Sequence, residues 1–155
     1  MAEQNIPKII HFCWFGGKEK PSKVQKCIES WHKYLSDYEF MEWNESNFDI
    51  NSNEYVKQAY EEKKFAYVSD YARIKALYQY GGIYMDTDVM VYRSFNDLLD
   101  NRCILGFEQE SYIATSFMAC IPKYELIKEF IDRYENVSFY NEDKSLDLTT
   151  NVQRL

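Results

Sequence analysis

Residues 66–90, AYVSDYARIKALYQYGGIYMDTDVM, change their apolar period twice in one stretch. From about Ala66 to Tyr80 the spacing predicts a helix with Gly81 as its C-cap, and Ala66, Asp70, Arg73, Ile74 and Leu77 share one face. Ile83 to Met85 then reads as a short strand and Val89 to Tyr92 as another, on either side of Asp86-Thr87-Asp88. A helix that turns through glycines into a buried strand is half of a βαβ unit, so partner strands must exist elsewhere. It also puts two carboxylates where a strand leaves its sheet, which is where open α/β sheets bind ligands.

The partner strands are legible upstream. Lys8 to Phe15, KIIHFCWF, is β-branched and aromatic and stops at Gly16-Gly17, as a buried strand entering a tight loop would. Pro21 to Leu35 predicts a helix with Val24, Cys27, Ile28, Trp31 and Leu35 inward, and Tyr38 to Trp43 alternates as a second strand. A polar helix is expected over NSNEYVKQAYEEKKF, a helical turn over FNDLLD, strands over CILGFEQE and YIATSFMAC, and an amphipathic helix from Pro122 to Tyr134. The expected fold is therefore α/β, an open, mostly parallel sheet flanked by helices, in a single domain spanning residues 1–155. The polar end, LDLTTNVQRL, shows no element that would close such a fold.

A net charge of −7 argues against a broad nucleic-acid interface, and an anionic ligand would need positive charge supplied locally. Cys13, Cys27, Cys103 and Cys120 are far apart, with no metal-ligand spacing, and read as reduced, mostly buried thiols. The start, MAEQNIPK, lacks an apolar leader segment and no run is long enough for a bilayer, so a cytoplasmic chain is expected, with docking on a membrane surface left open.

In Asp86-Thr87-Asp88 an extended backbone would send both carboxylates to one face, within reach of a single Mg²⁺ or Mn²⁺ that keeps positions open for phosphate oxygens. The plainer alternative is a solvated turn. Asp70 and Arg73 interrupt an apolar helix face, either as an internal ion pair or as a pair reading the hydroxyls of a ligand in a crevice. Trp14, at a strand end before two glycines, suits stacking on a base or a place in the core, and His11, mid-strand, reads as a satisfied core histidine. No G-x-G-x-x-G, Walker loop or G-x-S-x-G is present, so dinucleotide, P-loop and covalent hydrolase chemistry lack support.

Taken together, IPKIIHFCWFGG and FAYVSDYARIKALYQYGGIYMDTDV closely resemble the D-x-D sugar-binding region of glycosyltransferase family 32, the group of yeast-type initiating α-mannosyltransferases and bacterial capsular polysaccharide enzymes. The resemblance implies a GT-A fold, a UDP-hexose or GDP-mannose donor, Mn²⁺ or Mg²⁺, transfer with retention, and a glycan or lipid-linked oligosaccharide acceptor. It implies donor contacts from Trp14 to the base, Tyr84 near the ribose, Asp70 and Arg73 to sugar hydroxyls, and Asp86 and Asp88 to ribose and metal, with Asp88 the more direct ligand and Phe12 a further donor-binding residue. Asp86, Asp88, Asp70 and Arg73 would form the catalytic set. It further implies a catalytic region that continues beyond Leu155; peripheral attachment at the inner face of a membrane stays open, and an unfinished sheet edge or an uncovered apolar face would favour self-association. Two other readings stay open at this point: a non-catalytic nucleotide-sugar-binding module, and a haloacid dehalogenase-type phosphatase, against which Met90 stands where that motif needs Thr or Val.

Overall fold

The computed structural model describes residues 5–109 and 112–154. Among these, the strands are β1 (Ile9–Cys13), β2 (Glu39–Trp43), β3 (Gly82–Met85), β4 (Cys103–Gln109) and β5 (Tyr112–Cys120), forming one open sheet in the order β2-β1-β3-β5-β4. β1 pairs in parallel with β2 and with β3, whereas β5 runs antiparallel to both β3 and β4. The α/β expectation holds, but the sheet is mixed rather than mostly parallel. The parallel half is built by helical crossovers, and the antiparallel half by the β4–β5 hairpin.

Strand alternation divides the core in two. Ile10, Phe12, Ile83, Met85 and Ala119 face helix α1 (Ser22–Tyr34), through Trp31 and Leu35. On the other face Cys13, Tyr84, Met118 and Cys120 pack against α2 (Glu54–Glu61), α3 (Phe65–Tyr80) and α4 (Glu125–Asp132). The crossover from β1 runs through α1 on one face to β2, and the crossover from β2 runs through α2 and α3 on the other face, past β1, to β3. The carboxyl ends of β1 and β3 therefore flank a topological switch point.

The turn from α3 into β3 requires glycine. Gly81 and Gly82 have φ of +66° and +113°, and a Cβ would stand 2.6 Å from the Pro122 ring and from the Ile9 carbonyl oxygen, respectively. Beside this turn His11 is fully buried between two fixed partners: Trp43 Nε1–H donates to its Nδ1 at 3.0 Å, and its Nε2 lies 2.8 Å from the Gly81 carbonyl oxygen. The indole can only donate and the carbonyl only accept, which defines a neutral Nε2–H tautomer. Burial lowers the His11 pKa to about 4, in keeping with that assignment.

Three local expectations are corrected. Val89 to Tyr92 is not a strand, because its backbone is held by α1: Trp31 Nε1–H donates to the Val89 carbonyl at 2.8 Å, and Val91 N–H to Ser30 Oγ at 2.9 Å. The polar helix expected from Asn51 begins only at Glu54, where the Asn53 side chain caps Val56 N–H at 3.1 Å. The C-terminal stretch does hold an element, the short helix α5 (Asn151–Arg154), docked against β5. Glu110, at the end of the expected CILGFEQE strand, lies outside the described residues.

Candidate functional site

A cavity of about 630 Å³ opens at the carboxyl ends of β1 and β3, bounded by the loop after β1, the first half of α3, the Asp86–Asp88 turn, β5 and α5. Trp14, Asp70, Arg73, Tyr84, Asp86 and Asp88 all line it. Phe12 does not. Alternation along β1 sends its ring to the opposite face of the sheet, edge-on to Trp31 at 5.3 Å between centroids. That corrects the expectation that Phe12 contacts a donor.

Arg73 organises the cavity floor. Its Nη2 lies 3.2 Å from both Asp70 Oδ1 and Asp86 Oδ1, Nη1 donates to the Thr115 carbonyl at 2.6 Å, and the guanidinium lies 4.6 Å from the Tyr84 ring centroid. Tyr84 O–H donates to Asp86 Oδ1 at 2.9 Å. Burial opposes the Arg73 charge, yet Tyr84, Asp86 and Asp70 around it outweigh that and hold its pKa above the ordinary value. Asp70 has no cation to itself. Burial pushes its carboxyl up to about 6, against the pull of Arg73 and of the Asn151 N–H, which reaches Asp70 Oδ2 at 3.1 Å. Cys13 also lines the cavity, but burial raises its thiol to about 12, so it presents a neutral wall and no nucleophile.

The two aspartates of the D-x-D stretch differ. Thr87 and Asp88 occupy a turn, with Val89 N–H bonded to the Asp86 carbonyl at 3.1 Å, rather than the extended backbone that would align both carboxylates. Asp86 is half-buried and engaged by Arg73 and Tyr84, while Asp88 is exposed and has no hydrogen-bond or ionic partner among the described residues. No group of three or more His, Cys, Asp or Glu converges among the described residues. A divalent cation fits here in the manner usual for Mg²⁺ and Mn²⁺, on one or two carboxylates with water and phosphate oxygens as the other ligands. Asp88 is the carboxylate free to take it.

Trp14 is half-buried beyond the end of β1, with its N–H bonded to the Trp43 carbonyl at 2.9 Å and its indole Nε1–H to the Lys18 carbonyl at 2.7 Å. The residues missed from sequence are Thr115, Thr150 and Asn151. Thr115 acts through its carbonyl, which any residue carries. Asn151 did have a signal nearby: Thr150-Asn151-Val152-Gln153 is a capping box, in which Gln153 N–H lies 3.4 Å from Thr150 Oγ1 and Thr150 N–H donates to Gln153 Oε1 at 3.1 Å. That box starts α5 at the point where the Asn151 backbone meets Asp70.

An open mixed α/β sheet with its crevice at the carboxyl ends of β1 and β3 is the architecture of the GT-A nucleotide-diphospho-sugar transferases. The solved structure of PaToxG glycosyltransferase shares it, with a TM-score of 0.66 and 17% identity over 83% of this chain and 59% of that one. Residues 21–105 match the family described as "Glycosyltransferase sugar-binding region containing DXD motif", and the chain belongs to that family. It is 33% identical over 113 residues to an uncharacterized glycosyltransferase of Acanthamoeba polyphaga mimivirus, covering 69% of this chain and 43% of that protein. It is 35% identical over 98 residues to inositol phosphoceramide mannosyltransferase 3 of Schizosaccharomyces pombe, covering 61% of this chain and 27% of that protein. Over 71 residues it is 30% identical to human lactosylceramide 4-alpha-galactosyltransferase, covering 43% of this chain and 19% of that protein. The chain spans less than half the length of these relatives. Membership of this family sets aside the phosphatase alternative.

Proposed function

We propose that this chain forms the donor-binding domain of a hexosyltransferase that uses a UDP-hexose or GDP-mannose with Mn²⁺ or Mg²⁺ and transfers the sugar with retention. The observation that carries the reading is the gathering of an aromatic, an acid–base pair and an unpartnered carboxylate in one cavity at the sheet's switch point. In this reading the base stacks on Trp14 and the ribose lies near Tyr84 and Asp86. Asp88 would hold the cation, which when bound would supply the positive charge that offsets the negative charge growing on the leaving group. Asp70 and Arg73 receive the sugar: the carboxylate accepts from its hydroxyls, and the buried guanidinium fixes that carboxylate in place. No side chain here is assigned as a covalent nucleophile; in this reading the acceptor hydroxyl oxygen bonds to the anomeric carbon from the same face that the diphosphate oxygen leaves, which retains configuration, and the hydroxyl proton passes to that departing oxygen. The mannosyl- and galactosyltransferase names of the relatives support a hexose donor and a glycolipid or glycan acceptor.

The test is calorimetric titration with UDP, UDP-glucose, UDP-galactose and GDP-mannose, each with Mn²⁺ and with a chelator. Saturable, Mn²⁺-dependent binding of one donor is expected, lost in Asp88→Ala without a change in melting temperature, because an exposed carboxylate contributes little to packing. Binding by Asp88→Ala at wild-type affinity would rule out its place as metal ligand. Binding with neither transfer nor hydrolysis would identify a non-catalytic donor-binding module.

A further inference from the structure

The cavity is poor in available positive charge for a site proposed to hold a diphosphate. Its acids are Asp70, Asp86 and Asp88, and its only lining cations among the described residues are Arg73 and Lys18. Arg73 is 5% exposed and already shared between two carboxylates and the Thr115 carbonyl, so little of its charge is offered outward. Lys20 lies nearby but is paired with Glu42 at 2.5 Å. Lys18 is exposed and has no ionic partner among the described residues.

The backbone that carries Lys18 is fixed to the aromatic side of the cavity. Gly16 and Gly17, at φ of +97° and +70°, turn the chain back after β1, and Gly16 N–H is held by Glu45 Oε2 at 2.9 Å. The Lys18 carbonyl then accepts the Trp14 indole N–H at 2.7 Å. One hydrogen bond thus ties the ammonium-bearing residue to the ring on which a base would stack. The aliphatic stem is free to carry the ammonium toward whatever anion lies beside that base.

We propose that Lys18 is a diphosphate-binding residue, its Nζ pairing with phosphate oxygens of a nucleoside diphosphate whose base lies on Trp14. This rests on the donor-site reading above and adds a cation to it from the chain itself. A lysine suits the task as a compact, flexible point charge that needs no bidentate geometry, and in a protein of net charge −7 it supplies the local attraction an anionic ligand needs.

The experiment compares wild type with Lys18→Ala, Lys18→Arg and Lys18→Glu in titrations with UDP, GDP, uridine and guanosine at fixed Mn²⁺, with melting temperatures as a check on folding. Loss of a charge-assisted phosphate contact is expected to weaken binding of the preferred diphosphate by about tenfold in Lys18→Ala and more in Lys18→Glu. Lys18→Arg is expected to restore most of it, and the nucleosides to bind all four proteins alike. Wild-type diphosphate affinity in Lys18→Ala would overturn the proposal and leave the donor site standing. Equal losses for nucleoside and diphosphate would also overturn it, because Lys18 would then act only through the loop that holds Trp14. A folded wild-type chain that binds none of the four ligands would overturn both readings.

Discussion

Two buried polar clusters lie next to each other on the same face of the sheet, and they do opposite things. His11, between Trp43 and Gly81, is fully buried and neutral, and both its ring nitrogens are matched to partners that can do nothing else. Arg73, between Asp70 and Asp86, is almost as buried, yet it is charged, and the carboxylates it holds line an open cavity. Burial of a polar group is therefore not the mark of a site. The mark is bonding capacity left over beside a space that a ligand can enter.

The largest effect should come from Arg73→Ala. Two carboxylates would stay in the cavity floor without their cation, a loss of about 3–5 kcal/mol by the measure of other broken buried pairs, together with loss of donor binding. Chemical denaturation at neutral pH measures it. A drop below about 1 kcal/mol would mean that Asp70 and Asp86 reach water readily, and the contrast with His11 would collapse.

The next test uses pH. Asp70, with its folded pKa raised to about 6 from 3.8, binds more protons folded than unfolded, so its contribution to stability falls as pH rises from about 4 to 6. His11, lowered to about 4 from 6.5, binds fewer, so its contribution rises over nearly the same window. Each amounts to about 3 kcal/mol, and they offset one another. Relative to wild type, Asp70→Asn should gain stability from pH 4 to pH 6.5, and His11→Leu should lose it. Parallel curves for either variant and wild type would show that the residue concerned does not titrate as its burial requires.

At pH 7 the same His11→Leu variant leaves the Trp43 N–H and the Gly81 carbonyl buried without partners, a cost of about 2 kcal/mol or more, while donor affinity of the folded protein stays unchanged. Altered affinity would show that the His11 cluster is coupled to the cavity after all. The smallest effect belongs to Tyr84→Phe, which removes one hydrogen bond to Asp86 while Arg73 still holds that carboxylate. About 1 kcal/mol is expected in thermal or chemical unfolding.

What could be read in advance followed from local periodicity. The change from helical to strand spacing across Gly81-Gly82 located α3 and β3, and with them Asp70, Arg73 and Tyr84, which are carried on those elements, and Asp86, one residue past the end of β3. Beyond regular elements the reading weakened. The resemblance places Phe12 with Trp14 among the donor contacts, yet β1 ends at Cys13, so Trp14 departs from the strand's alternation and Phe12 keeps to it. Val89 to Tyr92 has the composition of a strand, but α1 side chains satisfy its backbone. The Asn151–Asp70 contact joins residues 81 positions apart through a main-chain N–H, so nothing in the identity of residue 151 announces it. The sheet's antiparallel half was hidden for a related reason: pairing direction depends on how the hairpin returns, not on the apolar run itself.

The Arg73 contacts join α3 to β3 through Asp86 and to β5 through Thr115. A partly seated α3 would bury one carboxylate without its cation, which is costlier than either the open or the closed arrangement. The helix, the central strand and the hairpin strand must then come together and separate as one cooperative unit. Amide protons in these elements should exchange with a common free energy near that of global unfolding, even where they line a water-filled cavity.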